Sequence, residues 1–146
     1  MTADNLRFLI SMVLGIHGLG HVGAIGALLT RKLGYVAAAD QSGWLAPRSW
    51  LFPSLDGSAA TAVATGFWIL SMLGFIAAAL TLWVDPGTGD TWRIIAVVSA
   101  VVSAAGIVLF GGTWPVFNTV AALAVDVAVL VTQLWIRWPQ QVALGR

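Results

Sequence analysis

Four stretches of the chain, at 6–29, 59–84, 92–110 and 116–136, are apolar and almost free of charge. Their lengths run from roughly 19 to 26 residues. About 20 residues of helix are needed to cross a hydrocarbon core near 30 Å thick. Backbone groups in lipid must find their hydrogen bonds inside the segment, and none of the four runs shows the apolar–polar alternation of a barrel strand. The sequence therefore predicts an all-α membrane protein. Its single domain, 1–146, is a four-transmembrane-helix antiparallel bundle with both termini on one side of the bilayer. Composition agrees: 59% of residues are hydrophobic and 9% charged, against about a quarter charged in soluble domains.

Punctuation fits these spans. Ser54, Asp56 and Ser58 offer N-caps to the second run, Asp90 and Thr91 to the third, and Thr113 to the fourth. Trp83, Trp92, Trp114, Trp135 and Trp138 fall at run ends, where an aromatic belt is expected. The first run is too long for the apolar part of a cleaved leader and is read as a retained helix. Short links at 85–91 and 111–115 make runs two to four successive antiparallel neighbours. The link at 30–57 is long and holds Trp44, Leu45, Trp50, Leu51, Phe52, Pro47 and Pro53. Large apolar side chains suit a loop lying in the membrane interface or over the bundle mouth. Arg7, Arg93, Arg137 and Arg146 share the side of the termini, against Arg31, Lys32 and Arg48 opposite. This small excess predicts cytoplasmic termini.

Several function classes are excluded. A net charge of +1 with no basic stripe leaves nothing to neutralise nucleic-acid phosphates. The chain has no Cys, which removes disulfides, thiol redox chemistry and thiolate metal ligands. One four-helix unit also has little room for a pore of its own.

The informative residues are those that cost free energy at membrane depth. Asp126 stands midway along the fourth run, His17 midway along the first, and His21 one turn further on. A charge at the bilayer centre costs about 2.5–3.5 kcal/mol on insertion scales, so these groups should face the interior and find partners. His17 and His21 share one helix face with Ile10, Leu14, Ala24 and Leu28. Thr119, Asp126 and Gln133 form a stripe on the fourth helix, with Asn118 near its start. Ser99 and Ser103 pair on the third helix, and Thr61, Thr65 and Trp68 on the second. Alternating helix direction puts His17 and Asp126 level, within reach of a hydrogen bond.

Two readings of this cluster stand side by side. It can be interhelical glue in a non-catalytic accessory subunit, which packs with other membrane subunits or a second copy. Alternatively it is an acid–base or ligand site, with His17, His21 and Asp126 as catalytic groups and Thr119, Ser99, Ser103 and Trp68 as ligand contacts. The ligand would then be a lipophilic small molecule such as a quinone, isoprenoid or sterol-like lipid, bound through one polar end. No cofactor is named by the residues. The spacing of His17 and His21 suits two ligands of a metal, but the Glu of a zinc-protease helix is missing and no metal is expected. One haem iron cannot lie between two His on the same helix face.

His17-Gly18-Leu19-Gly20-His21-Val22-Gly23 and Ala124-Val125-Asp126-Val127-Ala128 resemble a group of small bacterial four-helix membrane proteins of poorly defined function. These have a His-Gly-Leu-x-His first helix and an Asp within the last. More distantly the layout is similar to the DoxX-like class, associated with quinone-linked or other redox complexes, and by architecture to sterol-isomerase-like bundles. The resemblance implies a bacterial inner-membrane protein.

Overall fold

A computed structural model describes residues 2–32, 48–84, 90–110 and 116–145. Its helices are α1 (Ala3–Lys32), α2 (Gly57–Val84), α3 (Thr91–Leu109) and α4 (Val116–Leu130). The last of these continues as a π-helical turn, Val131–Ile136, and a short 3₁₀ turn follows at Gln141–Leu144. Among the described residues all four helices are long and apolar enough to cross a membrane. The protein is a four-helix membrane-spanning bundle.

Three helix starts differ from the sequence expectation, and α2 does so by beginning at Gly57, which puts Ser58 inside the helix. α1 begins three residues before residue 6, because the Thr2 hydroxyl accepts the Asn5 N–H at 3.2 Å and the Thr2 carbonyl accepts that of Leu6 at 3.1 Å. Asp90 occupies the N-cap position of α3 but makes no side-chain cap. Its carboxylate instead lies 3.8 Å from Arg93 Nε and accepts from Gln141 Nε2 at 3.2 Å.

The segment after α4 folds back under the bundle and changes the fate of one belt residue. Arg137 takes a left-handed conformation (φ 53°), and the Trp138 N–H reaches the Thr132 carbonyl at 2.9 Å. The turned chain then offers the Pro139 carbonyl to Arg93 and the Leu144 carbonyl to Arg7. Leu144 is fully buried against the same core as Leu6 and Trp92. Trp92, expected in the belt, is thus a core residue, 1% exposed. Trp83, Trp135 and Trp138 remain exposed, although Trp83 spends its N–H on Ser11 Oγ at 2.8 Å. Trp114 lies outside the described residues.

Helix α2 is the centre of the bundle, packed between α1 and α3, while α4 packs chiefly on α3. Close approach is allowed by glycines. A Cβ on Gly18 would stand 3.1 Å from Phe75 Cβ and 3.2 Å from the Met72 carbonyl. A Cβ on Gly106 would stand 2.9 Å from Phe67 Cβ. The apolar core has two parts. One, toward the termini, joins Leu14, Phe75, Leu82, Trp92 and Ala96 to Val129 of α4. The other, toward the long loop, gathers Ala24, Leu28, Ala64, Trp68 and Phe110 and includes no α4 residue. None of residues 116–125 is buried. α4 is therefore seated at one end and stands off at the other.

Part of the long loop is described. Ser49 is buried, with its N–H on the Leu55 carbonyl at 3.0 Å, and the Trp50 indole N–H reaches the Val108 carbonyl near the end of α3. Trp50, Leu51 and Phe52 are exposed beside the apolar bundle surface, as an interfacial segment requires. Trp44, Leu45 and Pro47 lie outside the described residues.

Single cysteines at exposed positions test the topology, since the chain has none of its own. Asp90→Cys and Gln140→Cys should label from one face of the membrane, and Ser54→Cys and Val116→Cys from the other. Any other split contradicts the four spans.

Candidate functional site

Where the two core halves meet, α1 presents His17 and His21 on its inner face. His17 Nε2 lies 2.8 Å from Asp126 Oδ1, and the two side chains are 8% and 0% exposed. His21 Nδ1 lies 3.0 Å from the His17 carbonyl and its Nε2 3.1 Å from Ser103 Oγ. A carbonyl only accepts, so Nδ1–H of His21 donates to it, and Nε2 of a neutral His21 ring accepts a hydrogen bond from the Ser103 hydroxyl. Both nitrogens of His21 are thereby satisfied.

Aromatic edges fix the rings. Phe75 meets His17 edge-on, with centroids 4.6 Å apart at 77°. The two imidazoles are perpendicular at 5.2 Å, and Trp68 lies 5.8 Å from His21. Phe75 can sit there because Gly18 brings α1 against it. Such contacts hold both rings in one orientation.

The stand-off of α4 leaves a crevice of about 480 Å³ between α1 and α4. His17, Gly20 and His21 line it from α1, Trp68 from α2, Phe110 from α3, and Thr119 with Ala122 from α4. Val13, Ile16 and Phe117 form exposed apolar lips, so the opening faces sideways, toward lipid. Gly20 contributes space: a Cβ there meets nothing within 4 Å. Asp126 supports the floor from behind His17.

The residues singled out in the sequence are distributed as follows. His17, His21, Thr119 and Trp68 line the crevice. Asp126 and Ser103 join it through the two imidazoles. Ser99 lies elsewhere. Its hydroxyl donates to the Ile95 carbonyl at 2.7 Å and packs where a Cβ on Gly74 would clash at 2.1 Å, so its place is the α2–α3 contact. Gln133 turns to the Trp138 carbonyl at 2.8 Å, away from the cluster. Sequence reasoning missed Phe75, which carries no chemical signal. Among the described residues no group of three His, Cys, Asp or Glu side chains is arranged to hold a metal ion.

Comparison with protein-family models, with curated proteins and with solved structures found no match. What the site can do rests on its chemistry. A buried carboxylate bonded to an imidazole orients the ring and shares a proton with it, the arrangement used for proton transfer and for gripping one polar group of a ligand.

A double-mutant cycle of His17→Ala and Asp126→Ala, read as unfolding free energy in detergent, should give a coupling of about 1–2 kcal/mol. Asp126→Asn, which keeps a hydrogen bond to Nε2, should cost less than Asp126→Ala. Additive single effects would contradict the pairing.

Proposed function

We propose that the protein binds a lipophilic small molecule, such as an isoprenoid, quinone or sterol-like lipid, in the α1–α4 crevice. The His17–Asp126 pair holds its one polar end and is the site's acid–base group. The observation that carries this reading is the position of His17: with Asp126 behind it, it stands with His21, Asn118 and Thr119 as the polar lining of a mainly apolar crevice whose lips are exposed apolar side chains. Its volume suits a small-molecule site, for which about 300–1,000 Å³ is usual. A hydrophilic ligand would leave most of its polar groups without partners, at about 1–3 kcal/mol each. His21 and Ser103 support the reading from the next turn, and Thr119 extends the polar zone along α4. The resemblance to small bacterial four-helix proteins and the Arg distribution go with a bacterial inner-membrane location and cytoplasmic termini.

A second reading has its own observation. α1 and α4 lack the close backbone contact that joins each pair of consecutive helices, so the His17–Asp126 bond is also their tie. In an accessory subunit of a larger complex, that tie alone would account for it.

Lipid extraction and native mass spectrometry of the purified protein separate the two. Wild type should retain one apolar molecule. Gly20→Phe, which fills the crevice from a position with free space, should stay folded and lose it. A ligand-free wild type, with His17→Ala and Asp126→Ala altering only thermal stability, would leave the structural reading standing.

A further inference from the structure

The polarity of the crevice floor follows from its charge balance. Asp126 is fully buried, and its Oδ2 makes no hydrogen bond among the described residues. In the sequence, Arg and Lys stand near helix ends or in the loops. Among the described residues the ion pairs they make, Arg7 with Asp4 and Arg93 with Asp90, lie at the side of the termini. A net negative charge on the His17–Asp126 pair would therefore stand in an apolar interior without a Lys or Arg to offset it, the arrangement that burial penalises most.

Three distributions of protons make the pair neutral overall, and one of them, an acid protonated at Oδ2 with Nε2–H donating to Oδ1, would bury an O–H that has no acceptor among the described residues. The other two are a carboxylate with an imidazolium, or an acid protonated at Oδ1 with a neutral imidazole. They differ only in which side of the 2.8 Å contact holds the bridging proton. In the first, both ring nitrogens carry protons. In the second, the acid donates to Nε2, so the ring's own proton is on Nδ1. Either way Nδ1 bears hydrogen. A positive charge on His21 instead would be farther from the carboxylate, whereas His17 touches it, and attraction falls with separation. His17 Nδ1 makes no hydrogen bond among the described residues and, unlike Asp126 Oδ2, is not sealed from its surroundings. Its residue lines the crevice.

We infer that His17 presents an N–H donor to the crevice, and that the site selects apolar molecules whose polar end is a carbonyl oxygen over the corresponding alcohols. This rests on the ligand-site reading above. A ketone oxygen accepts from Nδ1–H and has no donor of its own to satisfy. An alcohol placed there also brings an O–H that needs an acceptor in a lining that is mainly apolar, with His21, Asn118 and Thr119 as its other polar side chains, and an unmet donor is costly.

The test uses geranylacetone, the alcohol made by reducing its carbonyl, and the matching hydrocarbon, with the full-length protein in nanodiscs. Specific binding is taken as the difference between wild type and Gly20→Phe, which removes simple partition into lipid. The ketone should bind roughly five- to tenfold more tightly than the alcohol, the worth of about one hydrogen bond. His17→Phe, which keeps a ring but removes the donor, should bring the ketone-to-alcohol affinity ratio, read within the variant itself, down to about one. Equal binding of ketone and alcohol to wild type, or a preference for the alcohol, would overturn the inference and leave a ligand site in place. No crevice-dependent binding of any of the three would remove the ligand reading, and the inference with it.

Discussion

A carboxylate in the middle of an apolar helix is the constraint around which this bundle is organised. Asp126 is the only acidic residue inside the four apolar runs, and it is completely buried. Left alone at that depth it would cost several kcal/mol. The bond to His17 Nε2 offsets this cost and brings α4 to α1 across a bundle in which they otherwise touch little. His17 in turn needs a fixed ring, which Phe75 supplies through the close approach at Gly18. His21 and Ser103 continue the polar line one turn along.

The same constraint shapes the space beside it. Toward the termini, Val129 joins α4 to the core, and the chain after Arg137 covers that end. Toward the loop, α4 contributes no core residue, and Gly20 and Ala122 line the space that remains. A bundle tied at mid-depth and packed at one end only has a crevice at the other. Because its lips are apolar and exposed, the bilayer itself is the phase from which a ligand would enter. On the proposed reading, function and fold depend on one contact, and a substitution there is expected to move both.

The fold was legible in the sequence because lipid leaves a chain few options. Twenty apolar residues in a row have one stable form, and short links fix the order of the helices. The His17–Asp126 contact was legible for a related reason: depth along a straight helix follows from residue number, and few partners exist at that depth. What lay beyond reach was lateral geometry. Ser99 and Ser103 share a helix face, yet one packs on Gly74 and the other meets His21, because that face looks onto more than one neighbour. Trp92 stands at a helix end and reads as a belt residue, but the returning C-terminal segment covers it. That return depends on the left-handed turn at Arg137 and the π-helical turn before it, neither of which apolar periodicity encodes. The crevice depends on where α4 fails to pack, and a sequence pattern records only which residues are able to.

The most direct measurement is nitrogen NMR of protein labelled at histidine. The chain has two His, so Asp126→Ala and Ser103→Ala assign the ring signals by their separate effects. The account predicts that His17 Nε2 carries the signature of a strong hydrogen bond that disappears in Asp126→Ala, while His21 responds to Ser103→Ala. A His17 ring whose nitrogen resonances are the same with and without the carboxylate at 126 would contradict it.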